Sequence, residues 1–340
     1  MQADTFSLAR VSLDGRSPQA AMVLGDRVIP LQTLAKEGHL ALPMSDFGSV
    51  RTLLDAWDSV LPVLQALSRQ LTGERPALDP KALGVPASTV GFLPPVDSPR
   101  HVFCIGANYR QHVIGLMLGD PDMRGLGREG VTDPAELRRL AEATMDERAA
   151  GGRPYAFIRF PDTLIGAHQS VYLPRDIQKP DWELELAVII GRRARNIVAA
   201  EAMSCVAGYA IINDLTARER VFRKDMPAMG ADWLLGKNWQ DSAPFGPLFV
   251  PACFVKDPYD LRIQLNLNDR VMQDESTSDM VIRIDRQIEF LSSIIELQPG
   301  DVIATGSPAG NGSHYGVFLK PGDVMTGTIT GLGQQRTACT

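Results

Sequence analysis

The sequence predicts a β-rich α+β protein, with a curled mixed sheet or barrel-like core preceded by a small α/β unit. Three observations carry this reading. From Tyr155 onward, strand-like runs succeed one another with few helices between them. The first 75 residues hold two short strand-like runs and then a long stretch of helical periodicity. A proline-rich segment separates the two regions.

Composition narrows the class. The chain has 340 residues, 44% of them hydrophobic, with a net charge of -6, which suits a large folded core and excludes disorder. The best candidate for a membrane span, 186–190, is bounded by Glu185 and Gly191 and is far too short to cross one. Its 34 basic residues against 40 acidic ones speak against a nucleic-acid surface. Residues 1–10 lack a basic start and an apolar stretch, so no signal peptide is visible and a cytoplasmic location is expected. Cys104, Cys205, Cys253 and Cys339 show no metal-ligand spacing and read as small hydrophobes in a reducing compartment.

In chain order, strands are expected at 6–13 and 20–24, with Asp14-Gly15 and Gly25-Asp26 as turns. Residues 50–71 repeat Leu53, Leu54, Trp57, Val60, Leu61, Leu64 and Leu67 at helical spacing, and Pro62 is expected to kink or split that helix. No catalytic residue types gather here, and 1–75 read as a packing or dimer-supporting domain. Pro76, Pro80, Pro86, Pro94 and Pro95 favour an extended linker over 76–97. The remainder, 98–340, is the expected catalytic domain.

That domain opens with a strand at 101–105. An insertion at about 113–153 then turns glycine-rich and charged. Within it Asp133-Pro134-Ala135-Glu136 is a helix start, and Gly151-Gly152 ends that helix. The insertion suits a lid over a site, or a surface excursion without function. Strands are expected at 155–160, 170–173, 183–190, 205–212, 247–250, 261–267, 301–304 and 323–329, with one helix at 285–295. Pro299-Gly300 and Pro321-Gly322 are type II turns launching strands.

The chemistry-bearing residues cluster late in the chain. Along a strand, Glu183 and Glu185 share one face while Trp182, Leu184, Leu186 and Val188 share the other. Two adjacent carboxylates in a buried run need a compensating cation, and Mg²⁺ or Mn²⁺ suits oxygen ligands. A solvated edge strand is the alternative. Asp214 ends the apolar run Gly208-Tyr209-Ala210-Ile211-Ile212-Asn213 and adds a third anionic ligand. Lys237 sits in an apolar stretch, where it balances carboxylates, binds an anion or is solvated. His112 lies just after a strand at the mouth of the insertion, as a general base or a surface histidine. Residues 125–130 match Gly-x-Gly-x-x-Gly, but no strand precedes them directly, so dinucleotide binding is not expected.

Six segments in order give this chain a recognisable outline. They are Cys104-Ile105-Gly106-Ala107-Asn108-Tyr109 with His112; residues 181–196 around Glu183-Leu184-Glu185; Val206-Ala207-Gly208-Tyr209 through Asn213-Asp214-Leu215-Thr216-Ala217-Arg218; Gly236-Lys237-Asn238; Thr277-Ser278-Asp279-Met280; and residues 299–310 through Thr305-Gly306-Ser307-Pro308. With these segments the chain resembles the fumarylacetoacetate hydrolase family over most of 101–337. The resemblance implies a rolled mixed β-sheet, barrel-like core paired as a homodimer. It implies Mg²⁺ or Mn²⁺ held by Glu183, Glu185 and Asp214. It also implies His112 as water-activating base, Lys237 as the charge stabiliser, and substrate contacts at Tyr109, Arg159, Thr305 and Gly306. The implied activity is metal-dependent hydrolysis of a C–C bond in an acylpyruvate or other 1,3-dicarbonyl compound, in catabolism of aromatic or related compounds. The alternative within the resemblance is a 2-oxo acid lyase, a decarboxylase or hydratase. Outside it stands a non-catalytic scaffold, which the cost of keeping three carboxylates together disfavours.

Three positions depart from the family pattern. Gly115 stands where hydrolytic members often carry a glutamate that orients the histidine, and Glu129, Glu136, Glu142 and Glu147 are candidate replacements. Val221 stands where a glutamine is common, and Arg159 where a lysine is common. These departures favour a substrate larger or less polar than a simple acylpyruvate.

Overall fold

The structure, a computed structural model, describes residues 5–13, 15, 17–42, 47–72, 76–119, 131 and 133–340. The Gly-x-Gly-x-x-Gly match at 125–130, and with it Glu129, lies outside the described residues.

The architecture is α+β with curled mixed sheets. Strands Ser7–Ser12, Gln19–Leu24 and Arg27–Pro30 form an antiparallel meander, and Val85–Pro86 and Gly91–Leu93 flank it to make a five-stranded sheet. The segment expected as an extended linker thus supplies two edge strands and the short helix Pro80–Leu83. Its prolines are accommodated because Pro80 opens the helix, where an N–H is not needed, and Pro86 lies on an edge strand. The apolar stretch 50–71 becomes two helices, Val50–Leu54 and Trp57–Thr72. The break falls at Asp55-Ala56 rather than at Pro62, which sits inside the second helix.

The central sheet has eight strands. In spatial order they run Tyr155–Arg159, Val102–Gly106, Val302–Ala304, Leu184–Ile190, Val206–Asn213, Ala243–Phe245 and Leu164–Gly166, with Val250–Pro251 pairing on Val206–Asn213. Leu184–Ile190 is buried along its whole length, which excludes the solvated edge strand. Its two faces enter different cores. Leu184, Leu186, Val188 and Ile190 pack with the residues of a four-stranded sheet formed by Arg270–Ser276, Arg262–Leu267, Val324–Ile329 and Gln334–Ala338. Ala187 and Ile189 pack with Leu53, Trp57, Val60 and Leu64 of the N-terminal helices. The N-terminal segment therefore covers the back of the central sheet. Residues 170–173 form no strand, only a bridge between Val171 and Cys339.

The insertion begins as the helix Arg110–Gly119, which the fading periodicity after Gly115 did not reveal, and ends as Pro134–Gly151. The second helix buries Leu137, Ala141 and Met145, spaced four apart, against Val113, Ile114 and Met117 of the first. Arg286 donates to the carbonyl oxygens of Ala149 and Gly152, pinning the helix C-terminus to Ile284–Ile294. No helix among the described residues is long and apolar enough to cross a membrane.

Trp57 is buried against Phe249, edge to face at 5.3 Å between ring centroids. Trp57→Ala should cost about 3–5 kcal/mol. Urea unfolding should still show one transition, because the shared core couples the N-terminal helices to the central sheet; two separated transitions would contradict that coupling.

Candidate metal centre and active site

Sheet register builds the site. Leu184 pairs with Asn213 on the antiparallel neighbour, and the Asp214 amide donates to the Glu183 carbonyl oxygen at 2.8 Å. Glu183 and Asp214 therefore face each other across two strands, and Glu185 follows two residues on. One carboxylate oxygen from each of the three lies within 4.8 Å of the others, and all three residues are buried.

Three cations grip this cluster. Lys237, 1% exposed, ends the short helix Trp233–Lys237. It donates to Glu183 Oε2 at 2.7 Å, to the Asp214 carbonyl oxygen at 2.9 Å and to Asp214 Oδ2. Burial alone would lower its pKa, but Asp214 and Glu183 outweigh burial and hold the ammonium above its ordinary value. Arg159 donates Nε to Asp214 Oδ1 at 2.7 Å, and its other nitrogens to Ser242 Oγ and the Leu215 carbonyl oxygen. Arg218 bridges Asp181 Oδ2, at 2.7 Å, and Glu183 Oε1. Burial raises the Glu183 pKa, but Arg218 and Lys237 overcome it and keep this carboxyl well below the usual range.

Glu185 is different. Its Oε2 accepts the Gly306 amide at 2.8 Å, and no ion pair reaches it among the described residues. Burial, then Asp214 and Glu183, push its pKa well above the carboxylate range. A buried all-oxygen set with one uncompensated carboxylate is the donor chemistry a hard divalent cation satisfies. Cys104, beside Asp214, stays a protonated thiol, since burial and then Asp214 raise its pKa.

The strand Val302–Ala304 delivers Thr305 and Gly306 to the same place, where Thr305 donates to the Leu186 carbonyl oxygen. Gly306 has φ of 106°, and a Cβ there would lie 2.9 Å from Asn108 Cβ, so only glycine brings its amide to Glu185. Tyr109 is fully buried with its hydroxyl near that of Thr305, which donates to the Leu186 carbonyl oxygen and keeps its acceptor side toward Tyr109; the two are not in full hydrogen-bond geometry.

His112, 8% exposed, lies within reach of the charges on Glu183, Arg218 and Lys237. Burial pulls its pKa down to about 4; Glu183 opposes this, and Arg218, Lys237 and His314 add to it. Glu136 and Glu142 pair instead with Arg139 and Arg138 on their own helix, and Glu147 is exposed. Val221 packs against Gly236 beside Lys237. The candidate set Glu183, Glu185, Asp214, Lys237 and Arg159 is thus in direct mutual contact or within one residue of it, with Thr305, Gly306, Tyr109 and His112 around it.

Several supporting residues were not singled out by sequence reasoning. Asp181 accepts from Arg218 and from the Gly312 and Ser313 amides, and Asn311 Nδ2 reaches Glu183 Oε1 at 3.5 Å. The Asp-x-Glu-x-Glu spacing contained the signal for Asp181. Nothing local pointed to Asn311.

Fold and site together define a β-rich protein with a buried carboxylate cluster of a kind that could hold a divalent cation. The family model described as fumarylacetoacetate (FAA) hydrolase C-terminal matches residues 101–339, and the chain belongs to that family. It is 34% identical over 302 residues to the human mitochondrial oxaloacetate tautomerase FAHD2A, covering 87% of this chain and 85% of that protein. A maleylpyruvate hydrolase from Sphingobium sp. SYK-6, solved with manganese(II) and pyruvate, matches with a TM-score of 0.69 and 25% identity, over 98% of both chains. A putative HpcE protein from Mycobacterium smegmatis matches with a TM-score of 0.69 and 28% identity, over 97% of this chain and 98% of that one.

Glu185 supplies a prediction with a definite sign. Its carboxyl titrates higher folded than unfolded, so ionising it at neutral pH costs the metal-free protein stability, and a cation recovers that cost. Glu185→Gln should raise the melting temperature of the metal-free protein at neutral pH and abolish the rise that Mn²⁺ produces. A variant that melts lower and still responds to Mn²⁺ would overturn the assignment.

Proposed function

We propose that this chain is a divalent-cation-dependent hydrolase that cleaves a C–C bond in an acylpyruvate-like 1,3-dicarbonyl compound, in catabolism of aromatic or related compounds. The observation that carries the reading is the buried carboxylate trio, with Glu185 uncompensated, set beside a buried histidine that is neutral at physiological pH. Glu183, Glu185 and Asp214 hold Mg²⁺ or Mn²⁺. When bound, that cation polarises the adjacent oxygens of a 2-oxo acid and eases formation of an enolate.

The chain's own groups do the rest. His112 accepts a proton from water, which its neutral state at physiological pH permits. The Lys237 ammonium, desolvated and fixed, stabilises negative charge that develops on the substrate. The Tyr109 hydroxyl and the turn at Thr305 and Gly306 orient the substrate's carboxylate end, and Arg159 fixes Asp214 through its Oδ1. The fitted protein is a cytoplasmic homodimer. Tyr155, Ile158 and Phe160, exposed on or beside the edge strand Tyr155–Arg159, together with Leu234 and Leu235, form the face that a second copy covers.

A second reading is favoured by specific observations: tautomerisation or decarboxylation of oxaloacetate. The relatives at 34% identity carry the former activity in their names, and no carboxylate orients His112 among the described residues. Enolate formation alone needs no activated water.

The two readings separate in one assay. Purified protein is given acylpyruvates and oxaloacetate, with EDTA and then Mn²⁺ add-back, and the products are identified. Metal-dependent release of pyruvate and a carboxylic acid supports the hydrolase. Enol–keto exchange or carbon dioxide from oxaloacetate, with acylpyruvates untouched, replaces it with the second reading. Asp214→Asn should abolish metal-dependent turnover, and His112→Ala should cost about 10²-fold in kcat. An unchanged rate in the latter would remove His112 from the chemistry.

A further inference from the structure

His112 is buried, yet its ring has no hydrogen-bond partner among the described residues. On a helix the residue three positions on lies over the same face, and here that residue is Gly115. With no side chain there, the space is open to a group from another element. A Cβ at Gly115 would lie 3.7 Å from His314 Nδ1. His314 belongs to the single helical turn Gly312–Tyr315, whose preceding residue, Asn311, reaches Glu183. One imidazole is buried near Glu183, and the other is exposed, beside the position that a side chain at Gly115 would take.

His314, Gly115, Ile114, Gln111, Arg138 and Tyr315 border a cavity of about 390 Å³ that opens to solvent. The charged groups facing His112 are Glu183, Arg218, Lys237 and His314. Those around the cavity that His314 borders are Arg138, Asp274 and Glu275. The two rings are near enough for charge on one to disfavour charge on the other. No direct hydrogen bond joins them, so transfer between them needs a bridging water.

We propose that His314 is the relay through which His112 passes protons to solvent, across the gap that Gly115 leaves open. The proposal rests on the hydrolase reading, whose stoichiometry demands such an exit. A water oxygen bonds to the acyl carbonyl carbon while one of its protons moves to His112. The C–C bond breaks, its electron pair stays with the pyruvate enolate, and the enolate carbon takes the proton that His112 holds. The new carboxylic acid then gives its own proton to the freed His112, and this is the proton that must leave. One carboxylate enters and two leave, so each turnover releases one proton. Keto–enol tautomerisation releases none and needs no relay. His314 touches no reacting atom; it acts through His112.

The test uses the full-length, Mn²⁺-loaded enzyme and an acylpyruvate in dilute buffer free of imidazole. His314→Ala and the more space-conserving His314→Gln should each lower kcat about tenfold or more with KM unchanged. Added imidazole should restore kcat saturably, which a merely structural defect would not allow. Gly115→Leu, which retains His314 but fills the gap, should lose kcat similarly and resist imidazole. Wild-type kcat in both His314 variants, or a loss that imidazole does not touch, overturns the proposal. A wild-type enzyme that releases no acid from any acylpyruvate defeats the hydrolase reading itself, and that failure is visible without any variant.

Discussion

Everything at this site depends on keeping several carboxylates out of water within a few ångströms of one another. Asp181, Glu183, Glu185 and Asp214 are all buried, and they face Arg159, Lys237 and Arg218. Removing one partner from such a buried pair typically costs about 3–5 kcal/mol, since the other is left charged and unsolvated. The cluster is therefore mutually enforced. Arg159 fixes Asp214, Lys237 ties Asp214 to Glu183, and Arg218 ties Glu183 to Asp181. Asp181 in turn holds the turn at Gly312 and Ser313. Glu185 alone is left for a cation that the chain does not itself provide.

The same arrangement explains why the centre offers oxygen and little else. The nearest sulfur, that of Cys104, is held as a thiol by burial and by Asp214. The nitrogens of Arg159 and Arg218 are permanently protonated, the Lys237 ammonium is stabilised by the carboxylates, and the Gly306 amide donates its hydrogen to Glu185. A cation arriving here finds no soft ligand, and selectivity follows from what is kept protonated as much as from what is offered.

Much of this was legible in the chain. The period of two in Glu183-Leu184-Glu185 and the position of Asp214 at the end of an apolar run located the trio, because strand geometry turns sequence parity directly into a shared face. Asp133-Pro134-Ala135-Glu136 and Gly151-Gly152 likewise announced the two ends of the helix Pro134–Gly151 and its cap. What stayed hidden was long-range. The pairing of Arg159 with Asp214 spans 55 residues, and that of Asn311 with Glu183 spans 128. Neither leaves a local pattern. The proline-rich segment misled for a different reason: proline excludes a residue from the middle of an element, not from its first position or from an outer strand. The helix Arg110–Gly119 escaped because residues 113–119 form an unbroken run of apolar residues and glycine, which leaves no polar face to mark the period.

The order of strands in the central sheet bears on how the chain can be made. Val302–Ala304 sits between Val102–Gly106 and Leu184–Ile190, although nearly nine-tenths of the sequence precedes it. As the polypeptide leaves the ribosome, the first and second of these three have no direct neighbour in common until the third emerges. The N-terminal helices have their own meander to fold on, but the surface they will cover is still incomplete. Assembly of the catalytic face is thus postponed until Val302–Ala304 has been made, leaving apolar strand edges that are exposed to other chains in the meantime. A central strand made after both of its neighbours is the piece that closes the sheet.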